Sequence, residues 1–235
     1  MQNDLRAVLG KELIELRTLA VGDRTSGIRF AVALVVVGWL AGRPVVGALP
    51  LLQAITLALI AAFVAAAVSA DILIGERERG TLDTLLATPA RDGAILAGKL
   101  IAVTAYAAIV QGLVGVSAIA WSAVLGQGAP SVVVLAAAPL GWLLALGVGL
   151  VATLASFGST TVRAVQQQLT LTIMLVLAAP LLVVQMTRSQ LAPTVQSGLS
   201  HPTGTLAGLV LVTFALDLYL WRRCASRLPR LRRGD

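Results

Sequence analysis

Residues 49–74 read LPLLQAITLALIAAFVAAAVSADILI, and no ionisable side chain stands between Arg43 and Asp71. A helix crosses the hydrocarbon of a bilayer in about 20 residues, so such a run fits lipid better than a soluble core. The pattern recurs. Apolar segments run roughly over 28–48, 50–74, 94–125, 131–156, 167–187 and 204–221. They predict an all-α membrane protein with six transmembrane helices. The first is the weakest, because its clean apolar core, Ile28 to Ala41, is short. Arg29 and Arg43 at its ends can snorkel to the headgroups. The third exceeds one span, so its first turns are expected at the interface. Only 12% of the 235 residues are charged, against about 25% in soluble domains. One membrane unit is expected rather than several domains.

The charges are placed unevenly. A net charge of +7 is compatible with nucleic-acid binding. The placement argues against it, because the basic residues flank apolar spans. All Lys and Arg except Arg43 and Arg188 fall in the N-terminal segment, the second-to-third connection, the fourth-to-fifth connection or the C-terminal tail. By the positive-inside rule both termini face the cytoplasm of a cell-membrane protein, and the number of spans is even. Trp39 and Trp121 fall near outer ends, Tyr219 and Trp221 near an inner end, where such rings anchor. The 28–48 stretch does not read as a cleaved signal, because its flank carries Asp4, Glu12, Glu15 and Asp23. Leu5, Val8, Leu9, Glu12, Leu13 and Leu16 step at three and four, as in a helix lying in the membrane surface. The chain thus divides into a cytoplasmic interface helix (1–27), six spans (28–221) and a basic tail (222–235).

Little points to catalysis. His201 is the only histidine and has no partner for a triad; Cys224 is the only cysteine and cannot form an intramolecular disulfide. No zinc-type spacing and no Walker motif occur, and Gly98-Lys99 lacks the glycine-rich loop. Asp217 is the only acid deep in an apolar span, which is a functional hypothesis by default. It lies near the basic tail, so pairing with Arg222 or Arg223 is expected.

The long polar interruption is ERERGTLDTLLATP, residues 76–89. Gly75 is expected to break the second span, and Gly80 to permit a sharp change of direction. Thr81 is placed to cap a following helix, with Asp83 in its first turn. Leu82, Leu85 and Leu86 form one apolar face, and Pro89 ends the helix after about two turns, or about 12 Å. A helix so short must pack on something. From the residues alone, its own spans and a soluble partner are equally acceptable.

The stretch from Glu76 to Pro89, with Ile95-Leu96-Ala97-Gly98-Lys99 after it, resembles the signature of type-2 ABC exporter permeases. That pattern runs Glu, a charged pair, Gly-Thr-Leu, an acid, two Leu, Pro, then Gly-Lys. Asp83 stands where Glu is commoner. The resemblance implies that the segment is a coupling helix fitting a groove on a separate ATPase subunit. It assigns Glu76, Arg77, Glu78, Arg79, Gly80, Thr81, Leu82, Asp83, Leu85 and Leu86 to ATPase docking or to the adjoining helix bundle. Arg163 and Gln166–Gln168 are candidates for a smaller second contact or for a plain solvated turn.

The implied protein is a non-catalytic permease with no cofactor of its own. ATP and Mg would sit on the partner, in an assembly of two ATPases and two permeases, the second an identical copy or a paralogue. Gly112, Gly115, Gly141, Gly147 and Gly149 are expected to let helices approach closely. The four Trp, two Tyr and four Phe are too scattered to line a sugar-polymer path. A hydrophobic or amphipathic cargo (drug, metabolite or lipid) is the expectation. Alternatives are a haem-exporter-type permease of cytochrome c maturation, or a lipid or polysaccharide exporter.

Overall fold

The computed structural model describes residues 10, 14, 36, 50–69, 74–81, 92–124, 137–157, 161–173, 175 and 202–233. Its elements are all helical: α1 (Pro50–Ser69), α2 (Ile74–Glu78), α3 (Asp92–Val124), α4 (Ala138–Ser156), α5 (Val162–Ile173) and α6 (Pro202–Arg233). Four candidate membrane spans follow from length and apolar composition: Ala54–Glu76, Gly93–Trp121, Ala138–Ser156 and Thr203–Arg227. They correspond to four of the six expected segments. The 28–48 segment, apart from Val36, and most of 167–187 lie outside the described residues, as does most of the N-terminal stripe.

The central helix is α4, which packs on α1, α3, α5 and α6. Small residues explain how so many neighbours reach it. The α1 face turned inward is Ala54, Ala58, Ala61, Ala62, Ala65 and Ala66, all buried. In lipid the association of helices depends on close packing rather than on hydrophobic expulsion, so short side chains favour it. The core continues through Leu96, Leu100 and Val103 of α3, Ala145, Val148 and Leu150 of α4, and Val165, Leu169 and Ile173 of α5. Two buried hydroxyls of α4 are satisfied within their own helix: Thr153 Oγ1 donates to the Gly149 carbonyl at 2.9 Å, and Ser156 Oγ to that of Thr153 at 2.7 Å.

The glycines separate into two groups. A methyl group on Gly141 would run into the Gln111 side chain, on Gly147 into Asp217 Oδ1 at 2.7 Å, and on Gly149 into Leu100 at 2.8 Å. These three serve close packing as expected. Gly112 and Gly115 do not: nothing lies within 4 Å of a side chain placed there.

Three further expectations change. Gly75 does not break the chain; it is buried inside α2, because the reversal falls at Gly80 instead. The last helix does not end with the apolar run at Trp221, since α6 runs on to Arg233 through the basic residues. Arg, Leu and Ala are good helix formers, and charge alone does not stop a helix. Buried Cys224 still packs in the core there, its Sγ 3.5 Å from the Leu150 carbonyl, so the thiol offers no reactive surface. Finally, Asp217 is buried without an Arg partner among the described residues. Arg222 and Arg223 are exposed, and the Arg223 guanidinium lies 5.2 Å from the Tyr219 ring centroid.

Candidate functional site at the charged end of the bundle

The charged motif begins with one turn of helix, α2, closed by a specific backbone device. Arg79 N–H donates to the Gly75 carbonyl at 3.0 Å, and Thr81 N–H to the Glu76 carbonyl at 2.9 Å. Between them Gly80 takes φ +67°, the left-handed conformation that L side chains disfavour. The long bond, the glycine and their spacing make a Schellman closure. The sharp turn expected at Gly80 is therefore present.

The closure brings Thr81 back onto Glu76. The Thr81 hydroxyl donates to the Glu76 carboxylate, and the helix it is expected to cap lies outside the described residues. Lys99 Nζ of α3 lies 3.2 Å from the same carboxylate, and the two charged side chains are 1% and 2% exposed. Burying either ion alone would cost roughly several kcal/mol; together each neutralises the other. Glu76 and Lys99 thereby tie the end of the α1–α2 segment to the start of α3.

Glu78 points the other way. Its Oε1 accepts from the backbone N–H of Val162 at 2.9 Å. Val162 is the first residue of α5, where backbone donors lack helical partners and negative charge is favoured. Thr161 supplies the other cap, its Oγ1 accepting from Ala164 N–H at 3.4 Å. The two polar connections of the chain are thus joined, across 84 positions, by one hydrogen bond.

The residues singled out in the sequence are distributed as follows. Glu76 is buried and ion-paired, so it offers no docking surface; its place is in the bundle. Glu78, Arg79, Gly80 and Thr81 are exposed. Arg77 belongs to α2, its side chain outside the described residues. Leu82, Asp83, Leu85 and Leu86 lie wholly outside them. Arg163 and Gln166 are exposed in α5, not in a turn, and share a shallow surface depression with Gln167, Thr170 and Leu171. The sequence held the signal for that helix: Thr161 as cap, then Val165, Leu169 and Ile173 at intervals of four. What sequence reasoning missed was Lys99 as the partner of Glu76. The signal available was a lone ammonium opening an apolar span.

No cluster of His, Cys, Asp or Glu able to hold a metal ion occurs among the described residues. The site is a set of ties and exposed charges. Residues 6–220 match the family described as ABC-2 family transporter protein. No curated protein matches the chain. The family match spans nearly all of a chain whose described elements are all helical, four of them apolar and of membrane length. The chain belongs to the ABC-2 transporter family, as a membrane-spanning permease subunit of the type-2 ABC class.

Proposed function

We propose that this permease forms the membrane path of an ATP-driven exporter and receives its energy through residues 76–89 and α5. Association with ABC ATPase components follows from the family. The observation that carries the rest is the pair of ties from one motif. Glu76 binds Lys99 of α3, while Glu78 binds the first turn of α5. A push on the exposed Arg79–Thr81 turn would therefore reach both flanking parts of the bundle together. Leu82, Leu85 and Leu86 supply the apolar contact to an ATPase, and Arg77, Arg79 and Asp83 set partner choice.

On this reading both termini are cytoplasmic, two permease chains pair around the path, and two soluble ATPases carry ATP and Mg. The six-span layout, with the interface helix and coupling helix, belongs to the same proposal. Cargo is a hydrophobic or amphipathic small molecule moved outward. The support is an interior built from Leu, Val and Ala, with no aromatic path among the described residues.

The test is co-purification and coupled ATPase turnover with the partner ATPase. Leu85→Asp combined with Leu86→Asp is expected to abolish both while membrane insertion stays normal. A double variant that retains coupled turnover would refute the docking face.

A further inference from the structure

α6 is the most peripheral of the membrane-length helices, and its inward face is narrow. Leu206, Val210, Thr213, Asp217, Leu220 and Cys224 recur along it at helical spacing, and of these Leu206, Asp217 and Cys224 are fully buried. Asp217 thus stands on the packed stripe, not on the exposed face. It borders a cavity of about 160 Å3 between α4, α5 and α6. Asp217 is 5% exposed, and its Oδ2 has no hydrogen-bond partner among the described residues.

The neighbours do nothing to relieve it. Thr213 and Thr172 border the cavity, but both hydroxyls are committed to their own helices. Thr213 Oγ1 donates toward the Leu209 and Val210 carbonyls, at 2.8 and 3.0 Å, and Thr172 Oγ1 to that of Gln168 at 2.7 Å. Arg222 and Arg223 lie five and six residues further on. At about 100° per residue they point about 140° and 120° away from Asp217. The rest of the lining is apolar, with Leu144, Val148 and Leu169 typical. Gly147 makes the room, because a methyl there would meet Asp217 Oδ1 at 2.7 Å.

A carboxylate in apolar surroundings calls for a positive partner. A divalent metal ion would require several more oxygen ligands, which this lining lacks. An anion is repelled. An organic cation fits both parts of the site: its charge meets the carboxylate, and its apolar body meets the Leu and Val walls. A cavity of about 150 Å3 accepts a benzene-sized body. We propose that the Asp217 cavity binds an organic cation, an ammonium group on an aryl or short alkyl body, with the carboxylate as counter-ion. Among the described residues the lining holds no aromatic side chain, so charge recognition there falls on Asp217. The step from ligand to cargo rests on the export reading above.

The test uses the full chain in phosphatidylcholine nanodiscs and two labelled probes of the same shape. Phenyltrimethylammonium carries a permanent charge; tert-butylbenzene replaces its nitrogen with carbon. After subtraction of binding to empty nanodiscs, the unaltered chain is expected to bind the cation at least about ten-fold more tightly than the neutral isostere. Equal affinities overturn the proposal, and this comparison needs no variant to fold. Asp217→Asn is expected to weaken cation binding at least about ten-fold and leave tert-butylbenzene within about two-fold. Equal weakening of both probes also overturns it. Vesicles containing the chain with its ATPase separate the two ideas. Cation binding at Asp217 with no ATP-dependent transport of either the cation or apolar compounds sinks the export reading and leaves the site. ATP-dependent transport of apolar compounds, with no cation preference at Asp217, sinks the site and leaves the export reading.

Discussion

Glu76 shows how one carboxylate changes meaning with burial. In the sequence it leads a run of charges, and such a run normally lies in water. In the fold it is closed off by Lys99 and Thr81. Removing one member of a buried ion pair costs about 3–5 kcal/mol, whereas replacing both with apolar groups is often nearly neutral. Glu76→Leu and Lys99→Met should each lower stability by about 3 kcal/mol, with the double variant recovering most of it. A double-mutant cycle on detergent-solubilised protein, followed by chemical denaturation, measures this. Strictly additive losses would show that the two charges do not interact. Gly80 gives a second single-residue test. Gly80→Val forces a β-branched side chain into φ +67° and should cost about 1–2 kcal/mol. Nothing lies within 4 Å of a Cβ there, so the loss would be conformational and not steric crowding.

Helix α5 owes its first turn to residues far away in the chain. Thr161 caps it locally, but the Glu78 carboxylate satisfies Val162 N–H from 84 positions back. Glu78→Ala should weaken α5 by about 1 kcal/mol, the usual value of a lost cap. Hydrogen exchange at residues 162–165 is the measurement, with faster exchange expected there and little change in α4. Unchanged protection would mean that Thr161 alone holds the helix start. α6 carries the opposite lesson. The helix passes Trp221 and continues through Arg222, Arg223 and Arg227 to Arg233, missing one ladder donor at Pro229. Hydropathy ends at the first charges, but backbone hydrogen bonding does not.

At the scale of the molecule, the ties from the 76–81 segment join it to α3 through Lys99 and to α5 through Val162. The proposed assembly of two permeases with two ATPases would appear as a single species in native mass spectrometry. A one-to-one complex retaining full activity would overturn the pairing. The double Leu85/Leu86 variant should leave this permease inserted but alone.

Membrane class, the rough limits of four spans, the charged motif and its glycine turn were legible along the chain. Residues 94–125 were expected and Asp92–Val124 found; residues 50–74 were expected, and Pro50–Ser69 with Ile74–Glu78 found. These are local properties, set by runs of hydropathy and by one residue's allowed φ. The tertiary structure decided the pairings: Glu76 with Lys99, Glu78 with Val162, and Asp217 with an apolar cavity instead of an arginine. Such pairings depend on which helix faces meet. That is set by the packing of Ala and Gly surfaces around α4, and no stretch of sequence read alone contains it.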